Sequence, residues 1–233
     1  MSNTIAHLAV AKRILSSHSH MVYNREAYYL GSIAPDTIGS KPNCCRNDKK
    51  FVHLRSDIAD AEWLGEHKMA IFNGRVDQFA AMHICNGSRN DSQTDFNIGY
   101  LVHLLTDKWN HQTIRQKLLK IAKENGIQES DKAFFDMCVN DLEALDAYLL
   151  AEDPGLNRLF AQLREEPVQY CLSGYIEKEY IEKSMAWWEA EYLPRIRCRE
   201  LKYITERDID DFIKIACENM IPELQRYRII KIL

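Results

Sequence analysis

No stretch of this sequence approaches the ~18–20 consecutive apolar residues that a membrane span needs, and its opening shows no basic segment followed by an unbroken apolar core. A soluble, unexported chain without a transmembrane segment is therefore expected, with a cytoplasmic location. There is no excess of basic charge either: the formal net charge is -4 and the isoelectric point near 6.1, which argues against a broad basic surface for duplex nucleic acid. The seven cysteines (Cys44, Cys45, Cys85, Cys138, Cys171, Cys198, Cys217) are odd in number, scattered and never in CxxC spacing. That pattern excludes a disulfide framework and a cysteine-rich zinc site, and it predicts reduced, mostly buried small hydrophobes.

Other absences narrow the chemistry. The sequence has no alternating strand pattern, internal repeat or low-complexity tract. It has no adjacent His-Asp pair of the HD phosphohydrolase kind, and no HExxH, P-loop or GxSxG. No constellation for serine or cysteine nucleophile chemistry is visible.

What is present is helical periodicity. Thr4, followed by Ile5, Leu8, Ala11, Ile14 and Leu15, reads as a capped amphipathic helix, and "NREAYYLGSIAPD" starts a second that Gly31 and Pro35 are expected to end. "PDTIGSKPNCCRNDKK" reads as a loop. Helical patterns resume over 57–72, 75–86 and 93–124, then over 155–164 and 173–192, the last ending before Pro194. Apolar positions three and four apart give two further one-faced helices, through Phe135, Cys138, Leu142, Leu145 and Leu149, and through Ile209, Phe212, Ile213, Ala216, Met220 and Ile221. With 46% apolar residues, enough for a sizeable core, the expectation is one all-α, multi-helix domain over residues 1–233.

One apolar run carries chemistry. In "GYLVHLLTDKWNH", His103, Asp107 and His111 lie four apart, so on a helix they form a slowly drifting stripe on one face. A buried His or Asp is costly unless hydrogen-bonded, paired or bound to metal. The two histidines are ~12 Å apart along an unbroken helix, too far to share one ion at ~2.0–2.1 Å zinc–nitrogen distances. If all three are ligands, a cluster with Asp107 as a bridge is the simpler arrangement. Further acceptors stand earlier in the chain: His7 in the first helix, Asp36 after Pro35, and His53 where the loop returns to helix.

These pieces, "TIAHLAVAKRIL", "LGSIAPD", "FVHLRSD" and "GYLVHLLTDKWNH" in that order, resemble the zinc-dependent phospholipase C family, part of an all-α superfamily that also holds single-strand-specific nucleases. The resemblance covers residues 1–115. It implies a phospholipase C/nuclease-type fold, with Asp36, His53, His103 and Asp107 around the most buried zinc. Asp107 would bridge to a second ion held partly by His7, and His111 would open a third position. Two departures are plain: the chain begins Met1-Ser2 where the secreted relatives use a processed N-terminal Trp as a ligand, and no histidine follows His111 to supply their later HxxxE pair. One or two zinc ions are therefore expected.

The resemblance further implies a metal-dependent phosphoric ester hydrolase, a phosphodiesterase that activates water on a zinc-type cluster. Its partner would be a small phosphoester or a phospholipid head group. Asp36 and Arg55 are the expected catalytic side chains, Arg55 binding a phosphate oxygen bidentately with Lys49, Lys50 or Lys108 as added point charges. A second class stays open: a non-catalytic binding or structural protein that retains the family fold and a metal site. Trp187 and Trp188 point about 100° apart on a helix, so one or both are expected in the core rather than at a lipid surface.

Overall fold

A computed structural model describes residues 4–59, 62–63, 65–85, 91–165 and 167–230. Its centre is α5 (Ser92–Asn110), whose side chains from Thr94 to Thr106 are buried on every face. A helix buried on every face has to be surrounded, and α5 runs among α1 (Thr4–Ser17), α2 (Arg25–Ile33), α4 (Glu66–Ala80) and α11 (Glu206–Arg226). Between them lie α3 (Arg46–Val52), α6 (Gln116–Glu124), α7 (Lys132–Glu152), α8 (Pro154–Glu165), α9 (Lys178–Trp187) and the short α10 (Leu193–Ile196). Among the described residues there is no strand, only an isolated bridge between Leu172 and Ile176. The chain is a single all-α domain around one continuous apolar core.

The closest helix pair is set by glycine. A Cβ on Gly31 would stand 1.9 Å from the Phe96 carbonyl oxygen, and one on Gly99 would stand 1.9 Å from that of Tyr28. Only glycine allows α2 and α5 this approach. Gly31 therefore lies inside α2 as a packing contact and does not end it. The helix instead tightens at Ala34 into a 3-10 turn, Ala34–Ser40, with Pro35 in its first turn, where a missing N–H is harmless.

The stretch read as loop is thus largely ordered: the 3-10 turn carries Asp36, and α3 follows from Arg46. The predicted helix over 57–72 begins only at Glu66, and Gly74 sits within α4 without a break. The pattern over 93–124 holds, except that a π-helical turn, His111–Arg115, separates α5 from α6. Chain 173–192 turns helical only at Lys178, and Pro194 starts α10 instead of following a stop. On α7 the buried face takes Phe134 and Met137 and leaves Phe135 55% exposed. Only Cys138 and Cys217 of the seven cysteines are buried, and all seven are free, so the expectation of mostly buried thiols fails. Among the described residues, no helix is long and apolar enough to cross a membrane.

Candidate metal centre

The stripe on α5 faces the residues expected to complete it. His103 is fully buried, and its Nδ1 lies 2.9 Å from the Ser32 carbonyl oxygen of α2. His53 closes α3, with its Nδ1 2.7 Å from the Lys49 carbonyl oxygen. A carbonyl only accepts, so each Nδ1 carries a proton, and in its neutral form each ring presents a bare Nε2 lone pair. Those two Nε2 atoms stand 3.2 Å apart. Two lone pairs facing each other repel unless a proton or a cation sits with them. Burial and the neighbouring His7 lower the His103 pKa to about 3, which disfavours the proton there, whereas backbone-oriented imidazoles are the usual support for a metal ligand.

The carboxylates complete the arrangement. Asp36 Oδ1 is 3.5 Å from His53 Nε2. Asp107 divides its two oxygens, Oδ1 lying 3.5 Å from His7 Nε2 and Oδ2 3.7 Å from His53 Nε2. His7 stacks on His103 at 3.7 Å between ring centroids. Two groups follow whose ligand atoms all lie within 4.8 Å of one another: Asp36, His53 and His103, and His7, His103 and Asp107. His103 belongs to both groups, and its single Nε2 can serve only one ion at a time. Burial works against ionising Asp36 and Asp107, yet the imidazoles around them prevail: Asp36 is held well below the usual carboxylate range and Asp107 at about 2. Burial likewise lowers the His7 pKa despite both carboxylates. The carboxylates are thus ionised, the state in which they bind a metal.

Local folding explains these positions. The end of α3 is a Schellman motif: Arg55 N donates to Lys50 O at 2.7 Å and Leu54 N to Phe51 O at 3.0 Å, with Leu54 at φ 56° where glycine is usual. That turn reverses the chain directly after His53 and brings Arg55 back beside the site. Arg75 then pins it by donating to the carbonyls of Leu54 and Ser56. Ser184 of α9 holds the Asp36 turn, donating to Thr37 O at 3.2 Å and pairing with the Ser40 hydroxyl at 2.7 Å.

A cavity of about 530 Å³ opens over Asp36, His53 and Asp107. His111 lines it but belongs to neither metal group. Its ring packs edge-on against Trp63 at 3.9 Å, and burial, then Arg55 and Arg115, drive its pKa well below the usual value. Arg55 also lines the cavity, its guanidinium 4.2 Å above the Trp63 ring. Of the three lysines considered, Lys49 lines the cavity, Lys50 donates to Ile58 O and Lys108 pairs with Glu223. Neither metal group includes His18, His20, His67 or His83.

Sequence reasoning missed Trp63, Arg115, Ser184 and Asp146. Arg115 had a signal, since it continues the spacing of four from His103 through Asp107 and His111. Of the tryptophan pair, Trp188 is buried while Trp187 is 43% exposed, and both line the cavity. No family model, no curated protein and no solved structure matches the chain.

Proposed function

We propose that this protein is a metal-dependent phosphoric ester hydrolase, related in mechanism to the zinc-dependent phospholipase C and nuclease group that its motifs resemble. The observation that carries the reading is Asp107, with one oxygen toward His7 and the other toward His53, beside two imidazoles whose bare Nε2 atoms converge. Imidazole nitrogens and carboxylate oxygens without a thiolate suit zinc. Asp36, His53 and His103 would hold one ion, and His7 with Asp107 a second. Metal bound there would supply neutralisation of phosphoryl charge and a water acidified toward neutral pH.

The chain's own residues supply the rest. Ser32 O and Lys49 O fix the His103 and His53 tautomers. Arg55, stacked on Trp63, directs its guanidinium at a non-bridging phosphoryl oxygen and holds the ester in line. The wall of Leu118, half-buried Leu142 and Trp188 excludes water from the far side of the ester.

The test is metal content by elemental analysis on protein purified without a histidine tag, with hydrolysis of bis(p-nitrophenyl) phosphate before and after chelation. About two zinc-type ions per chain and chelator-sensitive turnover are expected. Asp107→Asn should weaken metal binding at least ~10–100-fold, the loss that follows removal of even an outer-shell partner, while His111→Ala should keep the metal. Metal without turnover on any phosphoester would favour the binding or structural reading, and absence of both would end the proposal.

A further inference from the structure

The cavity extends past the metal groups, and its charged lining is divided. Asp36 and Asp107 are engaged with imidazoles, and three cations, Lys49, Arg55 and Arg115, also line the cavity. Both guanidiniums are fixed in place. Arg55 lies on Trp63 at 4.2 Å; Arg115 donates from Nη2 to Glu129 at 2.7 Å and lies 5.2 Å above the Phe134 ring. Glu129 holds one edge of Arg115 from outside the cavity lining.

The order along the cavity is also defined. Asp107, His111 and Arg115 follow one another at intervals of four through α5 and the π turn, and all three line the cavity. Arg115 therefore stands past His111 along that wall, and Arg55 is brought beside His111 because both pack on Trp63. The space past His111 is unfavourable to a third cation and complementary to an anion, and two pre-oriented guanidiniums suit an oxyanion better than a point charge does.

We infer that the Arg55–Arg115 end of the cavity is a subsite for a second phosphate of the substrate, making the preferred substrate a phosphodiester that also carries a phosphomonoester group. This inference rests on the hydrolase reading above. Arg55 then contacts the scissile phosphoryl group on one side and the second phosphate on the other, and Arg115 contacts only the second. The apolar wall of Leu118, Cys138 and Leu142 receives the carbon skeleton that joins them.

Binding, independent of turnover, tests it. Calorimetric affinities of the metal-loaded protein would be compared for propyl phosphate, 1,3-propanediol bisphosphate and 1,5-pentanediol bisphosphate. At least one bisphosphate should bind about tenfold or more tightly than the monophosphate, the gain expected from a charge-assisted pair. Arg115→Gln should bring that ratio toward one, and Arg115→Lys, which keeps the charge and the Glu129 contact, should retain part of it. A ratio that survives in Arg115→Gln, or equal binding of all three ligands by the unaltered protein, would overturn the second subsite alone. Equal binding would leave the hydrolase reading to stand on its diester turnover. If none binds and no diester is cleaved, both fall together.

Discussion

Asp146 shows how a single side chain outside every motif supports the site. It is fully buried on α7, and its carboxylate accepts from Ile5 N at 3.1 Å, Ala6 N at 3.0 Å and the Tyr192 hydroxyl at 2.8 Å. The two amides are among those that the first turn of a helix leaves unpaired, so Asp146 caps α1 immediately before His7. Burial nevertheless pushes its pKa up to about 7, against the three donors. A folded-state pKa raised from 3.8 gives stability that is full below about pH 4 and is lost as pH rises through about 7. Asn at this position offers one acceptor oxygen and must break at least one of these bonds. Asp146→Asn should therefore lower stability by about 1–3 kcal/mol at pH 5 and flatten its pH dependence between 4 and 7. Urea midpoints of both proteins across that range decide the matter, and parallel profiles would refute the role. The same residue marks a limit of legibility. His103, Asp107 and His111 were visible because helical spacing puts them on one face, but the partners of Asp146 on α1 lie 141 and 140 positions away and Tyr192 lies 46 away, and no local pattern encodes such pairings.

At the scale of elements, the α2–α5 contact controls the metal centre, because α2 presents Ser32 O to His103 and leads directly into the turn bearing Asp36. Gly99→Ala places a methyl where the Tyr28 carbonyl stands. The helices must separate, at the roughly 1–3 kcal/mol typical of overpacking, and His103 must move away from Ser32. The expected result is both a lower urea midpoint and weaker zinc affinity; Gly74→Ala, whose Cβ meets nothing within 4 Å, should be neutral or slightly stabilising. A Gly99→Ala protein with unchanged midpoint and metal affinity would show the contact to be looser than its geometry. Helix existence was legible from periodicity, whereas Gly31 was misread because the sequence shows a helix breaker and not the neighbouring helix that requires it. The 3-10 and α3 segments were hidden for a related reason: turn-rich composition at 35–50 describes residues that also start helices, such as Pro35 in a first turn. The π turns at His111–Arg115 and Trp188–Tyr192 leave the apolar spacing nearly intact, yet each delivers residues to the cavity wall, as π bulges frequently do at functional sites.

On the scale of the whole molecule, motif and folding unit do not coincide. All six expected metal-facing residues lie within 1–115, but the cap on α1 comes from α7, the brace on the Asp36 turn from α9, and α11 packs on both α1 and α5. A fragment of residues 1–125 would expose the faces of α1 and α5 that these helices cover, and should neither fold nor hold zinc. The full chain should respond to metal as one cooperative body, since a ligand bound only by the native state stabilises it by about 2.7 kcal/mol at a hundredfold excess over its Kd. For a domain of this size that corresponds to a Tm shift of about 5–10 °C. Chelation should lower the Tm of the full chain by this amount and zinc should restore it, while the fragment remains without helical circular dichroism at any zinc concentration. A fragment that gains helix on adding zinc would make residues 1–125 an autonomous metal domain. A full-chain Tm indifferent to chelator would mean instead that the facing Nε2 atoms of His53 and His103 share a proton, and that the carboxylates around them balance that charge and no other.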